Sequence, residues 1–237
     1  MVKGKAPGLV GFTINFFHHC WDLLKHEVLE IVEESRQKHW VLPSLNATFF
    51  MLIPKETGAT DPGKFRPISL CNVIYKIISK VIASRLKGIL PFLISPEQTG
   101  YVEGRQILYG IILAHEVLHS LKTTKTPRML LNLDLSKCFD KLNWGFIRQM
   151  LLAFGFSPNW TNWVLSLISS AFFSILVNGY HSTTFSPSIG IRQGYPLSPF
   201  IFILMVEGLG RMIKSEFSSR MLRGIYLHDC PLSPINN

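Results

Sequence analysis

The stretch MLLNLDLSKCFDKLNW, residues 129–144, decides how the rest of the sequence is interpreted. Leucines at every second position predict a half-buried strand over residues 129–135. Aspartate is depleted from strands, so Asp134 conflicts with its surroundings, and such conflicts concentrate at functional sites. A purely structural explanation stays open, in which Asp134 begins a turn and Asp140 caps a helix near Leu142. Asp134 is therefore a candidate functional residue.

The composition indicates a chain that buries a sizeable core and binds something anionic. Of the 237 residues, 47% are hydrophobic and 16% are charged, against an average of about 25% charged, which excludes a disordered tail. The net charge of +9 favours a nucleic acid, a nucleotide or a membrane surface as partner. The four cysteines lie far apart without a CxxC pair, which excludes a disulfide-rich secreted scaffold and a standard zinc finger.

Targeting and membrane signals are weak, so we expect a protein of the nucleus or cytoplasm that is not secreted. No convincing cleavage site follows the short apolar stretch within residues 1–20. Residues 160–179 are the best candidate for a membrane span, but their serine and asparagine residues lower the hydropathy of the stretch. We therefore expect a buried helix followed by a strand at residues 172–177.

Hydrophobic periodicity predicts helices and strands in an irregular order, which is typical of an α+β fold. Helices are predicted at about residues 20–37, 72–90, 106–121, 143–154, 158–171 and 198–218. Strands are predicted at 48–54 and 129–135, and a hairpin is predicted from 174–179 and 183–191. Pro91 is expected to stop the second helix.

A basic segment, defined as residues 55–87, carries +5 of the net charge of +9. Its basic residues are Lys55, Lys64, Arg66, Lys76, Lys80, Arg85 and Lys87, opposed by Glu56 and Asp61. Lys55 and Arg66 flank a flexible loop after a strand, which suits the binding of phosphates. The helical lysines of the segment are explained equally well as an ordinary solvated face.

A zinc-hydrolase pattern provides an alternative function. His115, Glu116 and His119 match HExxH on a predicted helix, where two histidines one turn apart bind zinc and the glutamate activates water. A third ligand is poorly supplied, because lysines stand where an extended motif would need glycine and histidine, and the next glutamate is Glu207.

Short motifs along nearly the whole chain occur in a fixed order. They are LIPK (52–55), FRPISL (65–70), YKIISK (75–80), ISPEQ (94–98), VEGRQI (102–107), DLSKCFD (134–140) and RQGYPLSP (192–199). Together they resemble the fingers motifs, the first catalytic motif and the following block of LINE-type (non-LTR) retrotransposon reverse transcriptases, closest to plant-type elements. Several motifs in the right order make this resemblance specific.

The resemblance implies an RNA-directed DNA polymerase with a right-hand polymerase fold. Fingers are expected at about residues 48–125 and an incomplete palm at about 126–237, after an N-terminal helical extension at 1–47 and without a thumb. The implied partners are an RNA template, a DNA primer and a dNTP, and the implied cofactor is Mg²⁺. Asp134 would be one of the metal-binding carboxylates, and the carbonyl of Leu135 would add an oxygen ligand.

The resemblance also implies a set of nucleotide-binding residues. Lys55 and Arg66 would hold the triphosphate of the incoming nucleotide. Phe139 would stack under the sugar and exclude a ribose 2′-hydroxyl. Gln193 and Gly194 would contact the nucleotide and the template where the backbone must approach closely.

The sequence departs from the family pattern at several points. Residues 7–11 read PGLVG where the family has Pro-Gly-Pro-Asp-Gly, and Tyr195 stands where the family has aspartate or a small residue. No Asp-Asp pair, which carries the other catalytic carboxylates of the family, occurs in the chain. We therefore expect a truncated copy that is inactive by itself, or a non-catalytic nucleic-acid-binding remnant. Residues 131–135 would then present an open strand edge, and Phe200, Ile203 and Leu204 of the last helix would be partly uncovered.

Overall fold

The computed structural model describes residues 7–124, 130–135 and 137–222. The helices are α1 (Ile14–His19), α2 (Trp21–Lys38), α3 (Val73–Leu93), α4 (Ile107–Thr124), α5 (Cys138–Lys141), α6 (Trp144–Ala153), α7 (Pro158–Ser169) and α8 (Ser198–Ser218). The strands are β1 (Ala47–Pro54), β2 (Phe65–Cys71), β3 (Phe172–Val177) and β4 (Tyr180–His181). Helices and strands follow one another irregularly, which confirms the α+β class.

The described strands form one sheet in the order β2-β1-β3-β4. β1 runs antiparallel to β2 and parallel to β3, and Phe50 lies opposite Ser69 on one side and Ile175 on the other. The aromatic and aliphatic residues of ATFFMLIP suit this central position. Pro67 is tolerated in β2 because β2 is an edge strand of the described sheet. The first arm of the predicted hairpin is confirmed in β3, but the second arm is wrong, because β4 lies at residues 180–181 and the predicted 183–191 holds only an isolated bridge from Phe185 to Phe173.

The core forms where α3, α6, α7 and α8 pack together. Helix α3 buries one apolar face, which includes Ile78 and Ile82, in this core. Trp163 of α7 is 2% exposed and donates a hydrogen bond from Nε1 to Ser35 Oγ of α2 at 2.6 Å. This bond and the apolar contacts around it fix α2 against the core. None of the described helices is long and apolar enough to cross a membrane, and residues 158–177 form a helix and a strand as expected.

Two expectations about the chain are wrong. Residues 130–135 form no strand, and the leucines among them are exposed. The physical reason is that a strand needs a neighbour that binds its backbone groups, and this segment pairs with no described strand. The expected uncovering of α8 is wrong for Ile203 and Leu204, which are at most 1% exposed because α3 and α6 pack against them. Phe200 is half-buried, and Met212 near the end of the helix is exposed.

Pro91 does not stop α3, which continues to Leu93. A proline near the end of a helix removes only one hydrogen bond, and Ile94 N–H still donates to Leu90 O at 3.0 Å. The guanidinium of Arg105 binds the carbonyl oxygens at this end of the helix. It donates to Pro91 O, Ile94 O, Ser95 O and Gln98 O. Arg105 thereby stabilises the last turn.

Candidate nucleotide site

Two segments that the sequence places about 50 residues apart come together beside α5. Gly190 N–H donates to Leu142 O and Ile191 N–H donates to Phe139 O, each at 2.8 Å. Gly190 has a φ of +89°, and a Cβ on it would lie 2.7 Å from the carbonyl oxygen of Asp140. Both the backbone conformation and the close approach therefore require glycine at this position.

The contact orders the side chains around the DLSKCFD motif. Phe139 is half-buried and stacks on Phe202 of α8, with ring centroids 4.8 Å apart and planes at 22°. Gln193 donates from Nε2 to Asp140 Oδ1 at 3.4 Å. Asp140 does not cap α6; that role belongs to Asn143, whose side chain accepts from Phe146 N–H at 3.1 Å.

An open pocket of about 460 Å³ lies in front of these residues. It is lined by Tyr101, Lys137, Cys138, Phe139, Gln193, Gly194 and Pro199. Its volume lies in the range of small-molecule sites. The pocket brings together Phe139, Gln193 and Gly194, three of the residues that the resemblance implies for nucleotide binding.

Tyr101 and Lys137 line this pocket and were missed from the sequence. Both have positive φ, +60° and +52°, and both are exposed. An unpaired basic residue inside the DLSKCFD motif was a signal for Lys137, because a cation suits a phosphate. Nothing in the local sequence singled out Tyr101, since its place depends on the path of the chain after α3.

Arg192 lies behind the pocket and is only 9% exposed. It donates from Nη1 to Thr48 Oγ1 at 3.1 Å and to the hydroxyl of Tyr195, and from Nη2 to Asn46 Oδ1. Its guanidinium also lies 4.5–5.0 Å from the ring centroids of Tyr75, Phe173 and Tyr195. Cation–π contacts and neutral oxygens thus stabilise this charge.

Tyr195 is buried at the far side of the same turn. Its ring meets that of Tyr75 edge-on, with centroids 4.9 Å apart. Burial raises the pKa of Tyr195 well above its ordinary value. The hydroxyl is therefore protonated at neutral pH and both accepts and donates hydrogen bonds.

Lys55 and Arg66 lie together at the outer end of the β1–β2 hairpin and do not line the pocket of Phe139. Lys55 donates from Nζ to Gly63 O at 2.8 Å. Arg66 lies opposite Ile53 and is exposed. The hairpin therefore presents two cations to solvent.

The described residues do not fit a pair of Mg²⁺ ions. Asp134 is exposed, and Leu135 O already accepts from Cys138 N–H at 3.2 Å. No group of three histidine, cysteine, aspartate or glutamate side chains that could hold a metal occurs within residues 7–124, 130–135 and 137–222. One carboxylate and one carbonyl are fewer ligands than a two-ion site requires.

The HExxH residues do not form a zinc site in the described part of the chain either. His115, Glu116 and His119 lie on α4 and are exposed. Within the described residues they belong to no group of three histidine, cysteine, aspartate or glutamate side chains that could hold a metal. A zinc site with two histidines and no third protein ligand is incomplete.

Comparisons with known proteins define the class of this chain. Residues 53–230 match the family described as Reverse transcriptase (RNA-dependent DNA polymerase). The chain belongs to this reverse transcriptase family.

Two relatives show which type of reverse transcriptase the chain is. The chain is 30% identical over 223 residues to the Transposon TX1 uncharacterized 149 kDa protein of Xenopus laevis. This match covers 94% of the chain and 17% of that protein. It is 31% identical over 172 residues to the Retrovirus-related Pol polyprotein from the type-2 retrotransposable element R2DM of Drosophila melanogaster. That match covers 72% of the chain and 16% of the relative. The chain is thus a reverse transcriptase domain of the non-LTR retrotransposon type, and it spans about a sixth of the length of these relatives.

A solved structure of apo telomerase from Candida tropicalis, truncated from its C-terminal domain, is also similar. The TM-score is 0.47 at 17% sequence identity, and the match covers 76% of this chain and 41% of that one.

Proposed function

We propose that this chain supplies the nucleotide- and template-binding part of an RNA-directed DNA polymerase. The observation that carries the proposal is the docking of residues 137–142 on residues 189–194, which places Phe139, Gln193 and Gly194 around one pocket. In this assignment residues 48–125 form the fingers and residues 126–237 form part of the palm. Residues 1–47 precede them as a helical extension. Plant-type LINE elements are the proposed source, and the nucleus or cytoplasm is the proposed location.

The proposed roles follow from where each side chain lies. The half-buried ring of Phe139, fixed by Phe202, forms a firm wall for the sugar. Gln193 faces the nucleotide and the template, and Gly194 leaves room for them. Lys55 and Arg66 lie outside the pocket, at the outer end of the hairpin, and their two exposed cations are the proposed binding groups for the triphosphate.

Nucleotide binding tests this proposal directly. A fluorescent dNTP is titrated into the chain, and its dissociation constant is compared among variants. Gln193→Ala is expected to weaken binding by about threefold to tenfold, which corresponds to one lost hydrogen bond. The matched control is Gln149→Ala, an exposed glutamine on α6 that does not line the pocket. Equal effects of the two substitutions would contradict the proposal.

We also propose that these 237 residues alone do not extend a primer. Asp134 and the carbonyl of Leu135 are too few ligands for the metal pair, and the sequence contains no Asp-Asp pair. We expect no extension on an RNA template with Mg²⁺ and dNTPs. Template-dependent extension that disappears in Asp134→Ala would show that the proposal is wrong.

A further inference from the structure

We propose that Tyr195 is a positioning residue that fixes the turn carrying Gln193 through the buried guanidinium of Arg192. The inference rests on the proposed function, since it concerns how the nucleotide pocket is held in shape. Tyr195 itself does not line the pocket of Phe139 and Gln193. Its influence on the nucleotide is therefore indirect.

The first step concerns the charge of Arg192. Among the residues that the structure describes, its hydrogen-bond partners are the neutral oxygens of Asn46, Thr48 and Tyr195, and no carboxylate forms an ion pair with it. A buried charge without a counter-ion depends strongly on each remaining acceptor. Removing one acceptor therefore costs more here than in an ordinary neutral pair.

The second step concerns the order of hydrogen bonds around Tyr195. Thr48 Oγ1 donates to Asn46 O at 3.3 Å, so it is free to accept from both Arg192 and the Tyr195 hydroxyl, which lies 3.4 Å away. The tyrosine hydroxyl thus accepts from Arg192 and donates to Thr48. Phenylalanine at position 195 would break both links while keeping the ring.

The third step concerns the residues between Arg192 and Tyr195, the two buried anchors of the turn. Arg192 and Tyr195 are buried, whereas Gln193 and Gly194 between them are exposed at the pocket. Gly194 has a φ of +82°, so the turn is tight and its direction is set at both ends. The anchors attach to the beginning of β1 through Thr48. The position of Gln193 relative to Phe139 therefore depends on this bond network.

Tyr75 provides a matched control. It is a second buried tyrosine, its ring contacts both Tyr195 and Arg192, and its hydroxyl donates to Leu167 O at 2.8 Å instead of to Arg192. Tyr75→Phe and Tyr195→Phe thus remove the same group from the same part of the core. Only Tyr195→Phe removes a partner of Arg192.

The experiment measures amide hydrogen exchange and dNTP affinity in the full chain. Tyr195→Phe is expected to speed exchange about tenfold at Gly190 and Ile191, whose amides are hydrogen-bonded to Leu142 and Phe139, and to weaken fluorescent dNTP binding about threefold to tenfold. Tyr75→Phe is expected to change both by less than about twofold at these positions. If Tyr195 acts through Gln193, Tyr195→Phe adds less than about twofold to the affinity loss of Gln193→Ala in the double variant.

Equal exchange at Gly190 and Ile191 in the two tyrosine variants would overturn the inference, and so would an undiminished effect of Tyr195→Phe on dNTP affinity in the Gln193→Ala background. Absence of dNTP binding by the unsubstituted chain would instead overturn the proposed function, while the exchange comparison would still decide the role of Tyr195. If Tyr195→Phe does not fold, Thr48→Val tests the same link, because it removes another acceptor of Arg192. It is expected to speed exchange at the same two amides, and unchanged exchange there would overturn the inference.

Discussion

Glu207 on α8 is a carboxylate only 4% exposed, and it accepts hydrogen bonds from three donors. They are Ser95 N–H at 3.0 Å, Ser95 Oγ at 2.7 Å and Arg211 Nε at 3.1 Å. Burial alone would raise the pKa of Glu207, but the bonds from Ser95 and Arg211 outweigh it and hold the pKa below the ordinary value of 4.5. The charged form is therefore the one that the folded chain prefers.

This preference predicts a loss of stability in acid. A lowered folded-state pKa contributes stability that is fully present above the unfolded value and disappears as the pH falls through the folded value. We expect the free energy of unfolding, measured in urea, to decline below about pH 4.5, and to decline less in Glu207→Gln than in the unsubstituted chain. At pH 7 the same substitution should cost about 1–3 kcal/mol. Glu216→Gln, an exposed residue of the same helix, is the control, and an equal pH profile in both variants would contradict the expectation.

At the residue scale, sequence patterns identified Phe139, Gln193 and Gly194 but gave no role to the groups that hold them. Tyr195 was noted only as a departure from a family pattern. Its partner Thr48 lies 147 residues away in sequence, and Asn46, a partner of Arg192, lies 146 residues from that arginine. A hydrogen bond over that separation follows from the path of the whole chain, which local pattern and propensity do not describe.

At the element scale, helices were predicted well and strands less well. The bounds of α8 agree with the predicted 198–218, because a long apolar stripe is a strong signal. Strand β2 was not predicted as a strand, although FRPISL was quoted as a motif, because proline and arginine weaken its alternation. The segment at 130–135 has the alternation of a strand but pairs with no described strand, and a strand forms only where a partner offers its backbone groups.

The hydrogen bonds that Arg105 donates at the end of α3, here called its cap, lead to a prediction. The side chain binds four carbonyl oxygens at the end of a helix interrupted by Pro91, so its loss leaves several acceptors without a charged donor. Arg105→Ala is expected to lower the free energy of unfolding by about 2 kcal/mol in urea titrations. Lys87→Ala on the same helix removes only an exposed ion pair with Glu103 and should cost less than about 1 kcal/mol. A cost for Arg105→Ala no larger than that of Lys87→Ala would show that the cap is unimportant.

At the scale of the whole molecule, the basic segment 55–87 is partly neutralised. Lys64 pairs with Glu56 at 2.5 Å and Lys87 pairs with Glu103 at 2.7 Å. Exposed ion pairs of this kind are weak and screened by salt, so the segment still attracts polyanions. Lys55 and Arg66 project from the β1–β2 hairpin toward solvent. The whole-chain charge of +9 adds a long-range attraction.

We therefore predict weak, sequence-independent binding to single-stranded RNA that falls steeply with salt. Titrations by fluorescence anisotropy at low and moderate salt measure the slope of log affinity against log salt. Arg66→Ala should reduce this slope by about one unit, as expected for one lost phosphate contact. Lys25→Ala on α2, where the lysine pairs with Asp22 away from the segment, should leave the slope unchanged. Affinity that does not change with salt would contradict a phosphate-binding surface.

Exposed leucines give the last prediction at this scale. Leu131 and Leu133 are 69% and 58% exposed in a segment whose backbone pairs with no described strand. Alternating exposed leucines outside any described strand favour pairing between copies of a chain. We expect the chain to self-associate with rising concentration in sedimentation velocity.

The substitution that tests this removes apolar surface without touching the core. Leu131→Ser combined with Leu133→Ser should shift the chain toward the monomer, because two large side chains each worth about 1.5–3 kcal/mol of burial no longer contribute to association. Leu23→Ser is the control, since Leu23 is 78% exposed on α2, where the backbone is already hydrogen-bonded within a helix. The core should keep its protection from hydrogen exchange in all three proteins, because Ile147, Leu167 and Leu204 are fully buried in each. A monomer at every concentration, or equal association by the double variant and the parent chain, would show that the leucine segment does not drive assembly.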